Sequence, residues 1–317
     1  MRVLITGGTG IIGTRLAKLL LDAGDQVRLF DASPSPLSDD LAAAEVITGD
    51  VCSLDSLAAA LDGVDRVVHL AFKLGSESSD DALTAAYVNV VGTTNLLDAA
   101  RAARTAQVLM ASSVAVFGSD AMYDEADFPL TESAAPYGCP GLPTYGAGKI
   151  YMEKLADLYR ERYGMFVAGL RPSIVYGYGR KAGATSWMAQ LVENPVTGVP
   201  ASVGFADAAV SLVSVDDVAM QLHALLQTSP DDFGGTWFPN TGGDTTTIAQ
   251  VADIVRDLVP GAEISLTSEG ERDVSGLASR TDESAITRII GRGRAHSPIE
   301  TGIAAYVEEA RRHLSKN

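Results

Sequence analysis

Hydrophobic and polar positions form two kinds of segment along the first 170 residues. Short, nearly continuous apolar runs predict buried strands, and segments with apolar residues three or four apart predict helices. The predicted strands are Arg2–Thr6, Val27–Phe30, Glu45–Thr48, Arg66–Leu70, Gln107–Ala111 and Phe166–Leu170. Four helices are predicted. The first ends near Ala23, the second starts at Leu54, the third spans about Asp80–Arg104, and the fourth spans Thr144 to about Arg162. This alternation predicts an α/β fold with a doubly wound parallel sheet and helices on both faces.

The pattern becomes less regular after Arg171. Predicted loops at 177–184 and 194–207 are interrupted by predicted helices. These helices lie near Met188–Val192, Val215–Gln227, Thr247–Leu258 and Glu300–Leu314. We therefore predict one domain over residues 1–170. A smaller mixed region over 171–317 is expected to close over the carboxyl edge of the sheet and to interleave partly with it.

A glycine-rich segment joins the first predicted strand to the first helix. Gly7, Gly10 and Gly13 have the spacing G-x-x-G-x-x-G, and Ile11 and Ile12 begin the helix. Glycines let the backbone turn tightly and approach phosphates, while free amides at a helix N-terminus supply partial positive charge. Such glycines also occur in ordinary surface turns. With the strand before and the helix after, they predict a dinucleotide-binding, Rossmann-type fold.

Asp31 ends the second predicted strand, eighteen residues after Gly13. A carboxylate there can accept both hydroxyl protons of an adenosine ribose and would repel a 2′-phosphate. The following Ala32-Ser33-Pro34 contains no arginine to neutralise such a phosphate. The alternative is an aspartate that only starts a turn. We predict NAD rather than NADP as the cofactor.

Composition excludes several other classes of protein. The chain has 317 residues and a formal net charge of −16, which argues against nucleic acid as a partner. No apolar run is long enough to span a bilayer, so we expect no membrane as a partner. The N-terminus lacks a signal-peptide pattern, so we expect no secretion. Cys52 and Cys139 indicate no disulfide framework, which suits the cytoplasm. The four histidines form no metal motif, and His69 is expected to be a packed residue.

The predicted helix from Thr144 contains Tyr145-Gly146-Ala147-Gly148-Lys149. Residues four apart share a helical face, so the phenol and the ammonium can point into one cleft. A nearby positive charge favours the phenolate, which can then act as a general base toward a hydroxyl.

Two serines follow the predicted strand Gln107–Ala111. The carboxyl end of a parallel strand is where ligands bind in doubly wound sheets. Ser113 can then hydrogen-bond the oxygen that Tyr145 deprotonates, while Ser112 can face the cofactor. The alternative is a simple cap between strand and loop.

These segments occur in an order that resembles a known family. The matching segments are TGGTGIIG, Asp31, Gly49–Val51, Val67–Ala71, Asn89–Thr93, SSVAVFG, YGAGK and Arg171–Gly177, with a looser match at Val213–Ala219. They resemble the extended short-chain dehydrogenases/reductases, the NAD-dependent epimerase/dehydratase group.

The resemblance implies roles for individual residues. Ser113, Tyr145 and Lys149 would be the catalytic set, and Ser113, Tyr145, Ser173 and Arg180 would face the substrate. Tyr145 and Lys149 would also bind the cofactor, and the other cofactor-binding positions would be Asp50, Val51, Leu70, Ala71, Lys73, Asn89, Pro172 and Ser173. The resemblance also implies a homodimer in which the helices at about Asp80–Arg104 and Thr144–Arg162 form a four-helix bundle.

Departures from the family pattern narrow the expected chemistry. Sugar-nucleotide dehydratases have an Asp-Glu pair after the catalytic hydroxyl residue, where this chain has Val114-Ala115. Nucleotide-sugar enzymes usually carry a diphosphate-binding arginine before the segment that matches Val213–Ala219. The stretch Ala208–Leu212 contains no cation, and Arg272 matches a second such arginine only loosely. We therefore expect a smaller substrate without a nucleotide.

Gly177–Lys181, Ala184–Trp187 and Glu193–Pro195 resemble the corresponding region of dehydrogenases for sugar acids such as D-erythronate. Arg180 or Lys181 can pair with a substrate carboxylate, and arginine offers the better bidentate geometry. The alternative for either residue is a surface cation on a solvated loop.

Three functions remain open at this point. The first is an NAD-dependent dehydrogenase that oxidises a secondary alcohol of a sugar, sugar acid or polyol. The second is an NAD-dependent nucleotide-sugar epimerase similar to UDP-glucose 4-epimerase. The third, a non-catalytic NAD sensor, would not need Ser113, Tyr145 and Lys149. The missing arginine favours the dehydrogenase.

Overall fold

A six-stranded parallel sheet forms the centre of the molecule in the computed structural model, which describes residues 1–74, 81–134, 142, 144–180, 187–267, 277–291 and 295–314. Its strand order is β3-β2-β1-β4-β5-β6. The strands are β1 (Arg2–Thr6), β2 (Gln26–Asp31), β3 (Glu45–Thr48), β4 (Arg66–His69), β5 (Gln107–Ala111) and β6 (Val167–Leu170). The order reverses between β1 and β4, which creates a ligand crevice at their carboxyl ends. The predicted α/β Rossmann-type fold is confirmed.

Helices flank this sheet and continue into the second half of the chain. They are α1 (Ile11–Asp22), α2 (Leu54–Ala60), α3 (Ala82–Ala86), α4 (Thr93–Ala103), α5 (Thr144–Tyr163), α6 (Trp187–Val196), α7 (Val215–Leu225), α8 (Ile248–Leu258), α9 (Ser284–Ile290) and α10 (Ile299–Leu314). None of the described helices is long and apolar enough to cross a membrane.

The helix predicted over about Asp80–Arg104 is not one continuous α-helix. Over the described part, a π-helical segment, Tyr87–Gly92, separates α3 from α4. Arg104 ends α4 in the left-handed conformation, with φ of 56°. The apolar periodicity does not reveal the π-helical segment, because one wider turn leaves the same face of the helix buried.

Two small sheets lie in the second half of the chain. One has the order β10-β9-β7, with β7 at Ile174–Tyr176, β9 at Ala209–Ser214 and β10 at Asp244–Thr247. The other pairs β8 (Ala201–Val203) with β11 (Ile264–Leu266) in parallel. The predicted loop at 194–207 was therefore wrong in part, since α6 ends inside it and β8 lies within it. Three residues are too few to show a strand period.

One hydrophobic cluster links the two halves of the chain. Leu16 and Leu20 of α1 belong to the same buried cluster as Val218 and Leu222 of α7. All four side chains are fully buried. The region after Arg171 therefore shares a core with the sheet domain, and this core holds β7 and its following loop beside the sheet's carboxyl edge.

Candidate active site

The glycine-rich loop lies where β1 passes into α1, and two of its glycines have no room for a side chain. Gly7 has φ of +65°, and a side chain there would come within 2.8 Å of the Ala71 amide nitrogen. A side chain at Gly13 would come within 2.5 Å of the Gly8 carbonyl oxygen. Such close packing brings backbone amides to the crevice at the carboxyl edge of the sheet.

The first turn of α1 fits a pyrophosphate. The helix begins at Ile11 with Gly10 as its N-cap, and its first turn contains no acidic side chain. The first amides of a helix have no acceptor inside it, and the helix dipole adds partial positive charge. The residues present therefore fit the phosphates of a dinucleotide.

Asp31 is the last residue of β2 and is fixed beside the glycine-rich loop. The Thr9 hydroxyl donates to its Oδ2 at 2.8 Å, and the Ser33 amide donates to its Oδ1 at 3.1 Å. A partly exposed carboxylate held at the end of β2 suits recognition of ribose hydroxyls. This geometry fits NAD and disfavours a 2′-phosphate.

The other predicted cofactor residues lie on loops at the same edge of the sheet. Asp50 Oδ1 accepts a hydrogen bond from the Cys52 amide at 2.9 Å, and Val51 is buried. Leu70 and Ala71 follow β4 directly beside Gly7.

Asn89, in the π-helical segment, holds the loop after β4. Its Oδ1 accepts from the Lys73 amide at 2.7 Å, and its Nδ2 donates to the Lys73 carbonyl oxygen at 3.1 Å. Its own carbonyl oxygen accepts from the Thr93 hydroxyl at 2.8 Å. Asn89 therefore positions the backbone of the predicted cofactor loop.

His69 completes this support, as the packed residue that we predicted. Because the Thr93 hydroxyl proton points to Asn89, the Thr93 oxygen accepts from His69 Nε2, 3.1 Å away. The other ring nitrogen, Nδ1, then accepts from the Thr6 hydroxyl at 2.7 Å. Burial, aided by the charge of Lys149, lowers the pKa of His69 to about 3, so the ring is neutral.

Tyr145 and Lys149 lie on one face of α5, as their spacing predicts. The Lys149 Nζ atom lies 5.5 Å from the centre of the Tyr145 ring. Lys149 is buried and donates from Nζ to the Ala111 carbonyl oxygen at 2.6 Å. The ammonium is thereby anchored to the last residue of β5, beside the two serines.

Phe72 contacts both of these side chains and was not found from the sequence. The Lys149 Nζ atom lies 3.4 Å from the centre of its ring. The Tyr145 ring meets it edge to face, with ring centres 5.7 Å apart. Phe72 lies far from α5 along the chain, so no local spacing marks this contact.

Burial changes the proton affinity of both groups on α5. It lowers the pKa of Lys149 to about 7, against the opposing influence of Glu153. Burial also raises the pKa of Tyr145, while a hydrogen bond with Ser113 and the charge of Arg180 act in the opposite direction. Burial outweighs both of these effects, so the pKa of the phenol lies above its ordinary value.

Ser113 and Ser112 follow β5 and have different surroundings. Ser113 caps a short 3₁₀ helix, Val114–Val116, and its Oγ accepts from the Ala115 amide at 3.1 Å while also bonding Tyr145. The Ser112 hydroxyl instead donates to Glu153 Oε1 at 2.5 Å. Of the two hydroxyls, Ser113 is the one beside the phenol.

Glu153 is a second residue that the sequence reasoning missed. It lies four residues after Lys149, and its carboxylate accepts from Arg171 Nε at 2.9 Å and from Arg171 Nη2 at 2.7 Å. Both side chains are buried. The spacing Tyr145, Lys149, Glu153 places three ionisable groups on one helical face, which is a signal the sequence offered.

Pro172 and Ser173 lie between β6 and β7, next to the loop after β5 that contains Ser112 and Ser113. The Ser173 amide donates to Thr241 Oγ1 at 3.0 Å, and the Ser211 hydroxyl donates to Ser173 Oγ at 3.0 Å. The Pro172 carbonyl oxygen accepts from the Val114 amide at 3.0 Å. These bonds join the loop after β6 to the one after β5.

Arg180 lies in the loop after β7, and its side chain is not a solvated surface cation. Its Nη1 donates to the Val175 carbonyl oxygen at 2.5 Å. Its Nε is buried and has no hydrogen-bond partner among the residues that the structure describes. Burial lowers the pKa of Arg180, while Tyr145 and Tyr306 oppose this effect.

Some predicted positions cannot be placed in the structure. Lys181, Ala184 and Arg272 lie outside the described residues. Nucleotide-sugar enzymes usually carry a diphosphate-binding arginine in the stretch that corresponds to Ala208–Leu212. Most of this stretch belongs to β9, and it contains no lysine or arginine. Within the described ranges, no group of three or more potential ligands could hold a metal ion.

Comparison with known proteins places this arrangement in a family. The family model for the NAD-dependent epimerase/dehydratase family matches residues 3–235. The NAD-dependent Rossmann-type resemblance seen in the sequence is thereby confirmed.

Two curated relatives carry different activities. A 3β-hydroxysteroid dehydrogenase/Δ5→4-isomerase of Mycobacterium tuberculosis is 33% identical over 187 residues, covering 56% of this chain and 48% of the relative. A UDP-glucose 4-epimerase of Mycolicibacterium smegmatis is 32% identical over 186 residues, covering 56% of this chain and 57% of that protein. The chain thus spans about half the length of these relatives.

A solved structure covers nearly the whole chain. The UDP-glucose 4-epimerase of Thermus thermophilus in complex with NAD superposes with a TM-score of 0.81 at 23% identity, covering 98% of this chain and 99% of that one. At this identity the likeness shows the fold. Together with the family match, it shows that the chain belongs to the NAD-dependent epimerase/dehydratase family.

Proposed function

We propose that this protein oxidises a secondary alcohol of a small sugar, sugar acid or polyol, with NAD as its cofactor. The observation that carries the proposal is the joint placement of Tyr145 and Lys149 on α5, with Ser113 bonded to Tyr145 at the sheet's carboxyl edge. The M. tuberculosis relative, a hydroxysteroid dehydrogenase by name, supports this class of chemistry.

NAD would be held by Gly7, Gly10, Gly13, Ile11, Ile12 and Asp31 along the crevice, and when bound it supplies the hydride acceptor. Tyr145 Oη is the general base: as a phenolate it takes the proton of the substrate hydroxyl. Ser113 Oγ, already bonded to Tyr145, is placed to hold the same hydroxyl oxygen. A positioned base of this kind contributes about 10²–10⁴-fold to a rate.

Lys149 would offset part of the cost of ionising the buried Tyr145, because a nearby positive charge favours the phenolate. Its ammonium stabilises negative charge on Tyr145, while the pKa of about 7 means that the lysine itself loses its proton readily. Arg180 adds a charge that persists at every physiological pH. Both cations would therefore offset part of the cost that burial adds to the ionisation of Tyr145.

Arg180 supports a substrate with a carboxylate. Its buried Nε has a hydrogen atom with no acceptor among the described residues, and its charge already acts on Tyr145. A carboxylate near the reacting carbinol would accept that bond and offset the charge. This favours a hydroxy acid over a neutral polyol.

Epimerase activity is the second candidate. The M. smegmatis relative is a UDP-glucose 4-epimerase, and the same Tyr145, Lys149 and Ser113 would serve an oxidation followed by reduction. The absence of a cation in Ala208–Leu212 argues against it, since a nucleotide diphosphate needs positive charge.

Purified protein mixed with NAD and a panel of hydroxy acids, polyols and nucleotide sugars distinguishes the two. Our proposal predicts net NADH formation with a nucleotide-free substrate, fastest with a carboxylate-bearing one. Isomerised nucleotide sugar, with no net NADH from any alcohol, would contradict it.

We also propose a homodimer that pairs the helices of two copies. Leu83 and Tyr87 are 70% and 54% exposed, and Tyr151 and Leu158 of α5 are 43% and 44% exposed. Residues four apart such as Leu83 and Tyr87 share one face of a helical segment. A second copy would cover these apolar side chains in a four-helix bundle. Light scattering of the Leu158→Lys variant tests the dimer, and we expect this variant to be a monomer.

A cytoplasmic location of the protein stays a prediction from the sequence.

A further inference from the structure

The loop after β4 brings an aromatic ring against the two ionisable groups of α5. Phe72 is neither an acid, a base nor a hydrogen-bonding group, and the predicted site residues do not include it. Its ring nevertheless lies 3.4 Å from Lys149 Nζ and makes an edge-to-face contact with Tyr145. We propose that Phe72 is a positioning residue whose ring face stabilises the Lys149 ammonium beside Tyr145. The catalytic consequence rests on the proposed function, whereas the interaction itself does not.

The geometry is that of a cation–π contact. Such contacts extend to about 6 Å from the ring centre, and they strengthen when the cation is desolvated. Lys149 is only 3% exposed, so little water competes with the ring. The ammonium bonds the Ala111 carbonyl oxygen and also lies directly over the face of the Phe72 ring. The ring therefore replaces part of the hydration that burial removed.

Phe72 is held in place from both sides of the backbone. The Ala71 amide lies 3.4 Å from Thr6 Oγ1 and donates to it. The Lys73 amide and carbonyl group both bond the side chain of Asn89. The ring also packs on α5, since its Cζ lies 3.5 Å from where a side chain at Gly148 would begin. A fixed ring at this position also fixes the direction of the Lys149 chain.

Other charged groups act on the same ammonium and must be considered with the ring. The titratable or charged groups that face Lys149 or its neighbours are Tyr145, Glu153, His69, Arg171 and Arg180. Glu153 favours the ammonium, but Arg171 already pairs with its carboxylate. His69 is neutral, with a pKa near 3. Among the described residues, no second buried carboxylate acts on Lys149. The effect of removing the ring on the pKa of Lys149 should therefore be measurable.

The test is a direct titration of Lys149 by NMR in cofactor-free protein that carries [ε-¹³C]lysine. The chain has six lysines, and the Lys149 signal is the one lost in Lys149→Arg. We expect a pKa of about 7 in the wild type. In Phe72→Leu, which keeps an apolar side chain, the pKa should fall by about half to one pH unit. Phe72→Tyr keeps the ring and should restore the wild-type value.

A series of fluorinated phenylalanines at position 72 keeps the shape of the ring and weakens its negative face stepwise. The pKa of Lys149 should fall in step with fluorination. Equal titration of Lys149 across this series, or equal values in Phe72→Leu and wild type, would overturn the proposal. If Phe72→Leu does not fold, the fluorinated series alone decides.

A second readout connects the ring to catalysis. In Phe72→Leu, the rise of kcat/KM with pH should move to higher pH, because the phenolate loses support from a charged Lys149. Since the NMR titration needs no turnover, a protein inactive on every tested alcohol would disprove the proposed function and leave the result for Phe72 intact.

Discussion

Lys149 and Arg180 are two cations near Tyr145 that belong to different regions of the molecule. Lys149 lies on a helix of the sheet domain, and Arg180 lies in a loop of the second half of the chain. Burial lowers the pKa of both. Lys149 is bonded to Ala111 and packed against Phe72, whereas Arg180 keeps a buried Nε without an acceptor among the described residues.

This difference suits the two cations to different roles, Lys149 to the chemical step and Arg180 to substrate selection. A lysine whose pKa lies near neutrality has a charge that its surroundings can regulate, which suits the tuning of a base. An arginine stays charged, and a spare donor suits the capture of a substrate anion. Under the proposed function, the sheet domain would provide the chemical step, and the second half of the chain would select the substrate.

Of the changes to these two cations, removal of the Lys149 charge should have the largest effect on the catalytic rate. Lys149→Met is expected to lower kcat by about 10²-fold and to move the pH dependence upward, since Tyr145 must then ionise without the lysine charge. Lys154→Met, at an exposed lysine of the same helix, is the matched control and should keep wild-type rates. Equal losses in both variants would mean that the ammonium has no specific role.

Stability should also depend on pH through Lys149. Its folded pKa of about 7 lies below the value of about 10.4 in an unfolded chain. Between these values the unfolded chain binds more protons, so folding gains stability as pH rises. Relative to Lys149→Met, the wild type should gain up to about 1 kcal/mol per pH unit between about pH 7 and 10. Urea unfolding of both proteins across this range measures it, and a constant difference would contradict the depressed pKa.

Arg180 should act mainly on substrate binding. For a carboxylate-bearing alcohol, Arg180→Gln is expected to raise KM by about 10-fold or more, because a charge-assisted hydrogen bond is lost. KM for a neutral polyol should change little. A small fall in kcat, recovered at higher pH, is also expected, since Arg180 favours the phenolate. Arg162→Gln, at an exposed arginine of α5, is the control. Equal KM changes for acidic and neutral alcohols would contradict carboxylate binding.

The sheet and the glycine-rich loop were predictable because their determinants are local. Buried strands appear in the sequence as continuous apolar runs, and the backbone leaves no room for a side chain at Gly7 or Gly13. The Tyr145–Lys149 pair follows from helical spacing alone. These features depend on neighbours within one turn or one strand, so a single sequence contains them.

Contacts between distant segments were not predictable in the same way. Phe72 reaches α5 only because β4 and β5 are neighbours in the sheet. The pairing of Glu153 with Arg171 depends on α5 packing beside β6. The π-helical turn around Asn89 leaves the apolar face unchanged, and β8 is too short to show a period. Each needs the fold before it can be recognised.

Tyr145 is the proposed base for a substrate hydroxyl, while the glycine-rich loop and Asp31 hold most of the cofactor. This assignment is tested most directly by Tyr145→Phe, with NAD binding and NADH formation measured on the same samples of variant and wild type. We predict nearly unchanged affinity for NAD, together with a fall in NADH formation of about 10³-fold or more. NADH formation at the wild-type rate in Tyr145→Phe would contradict the account.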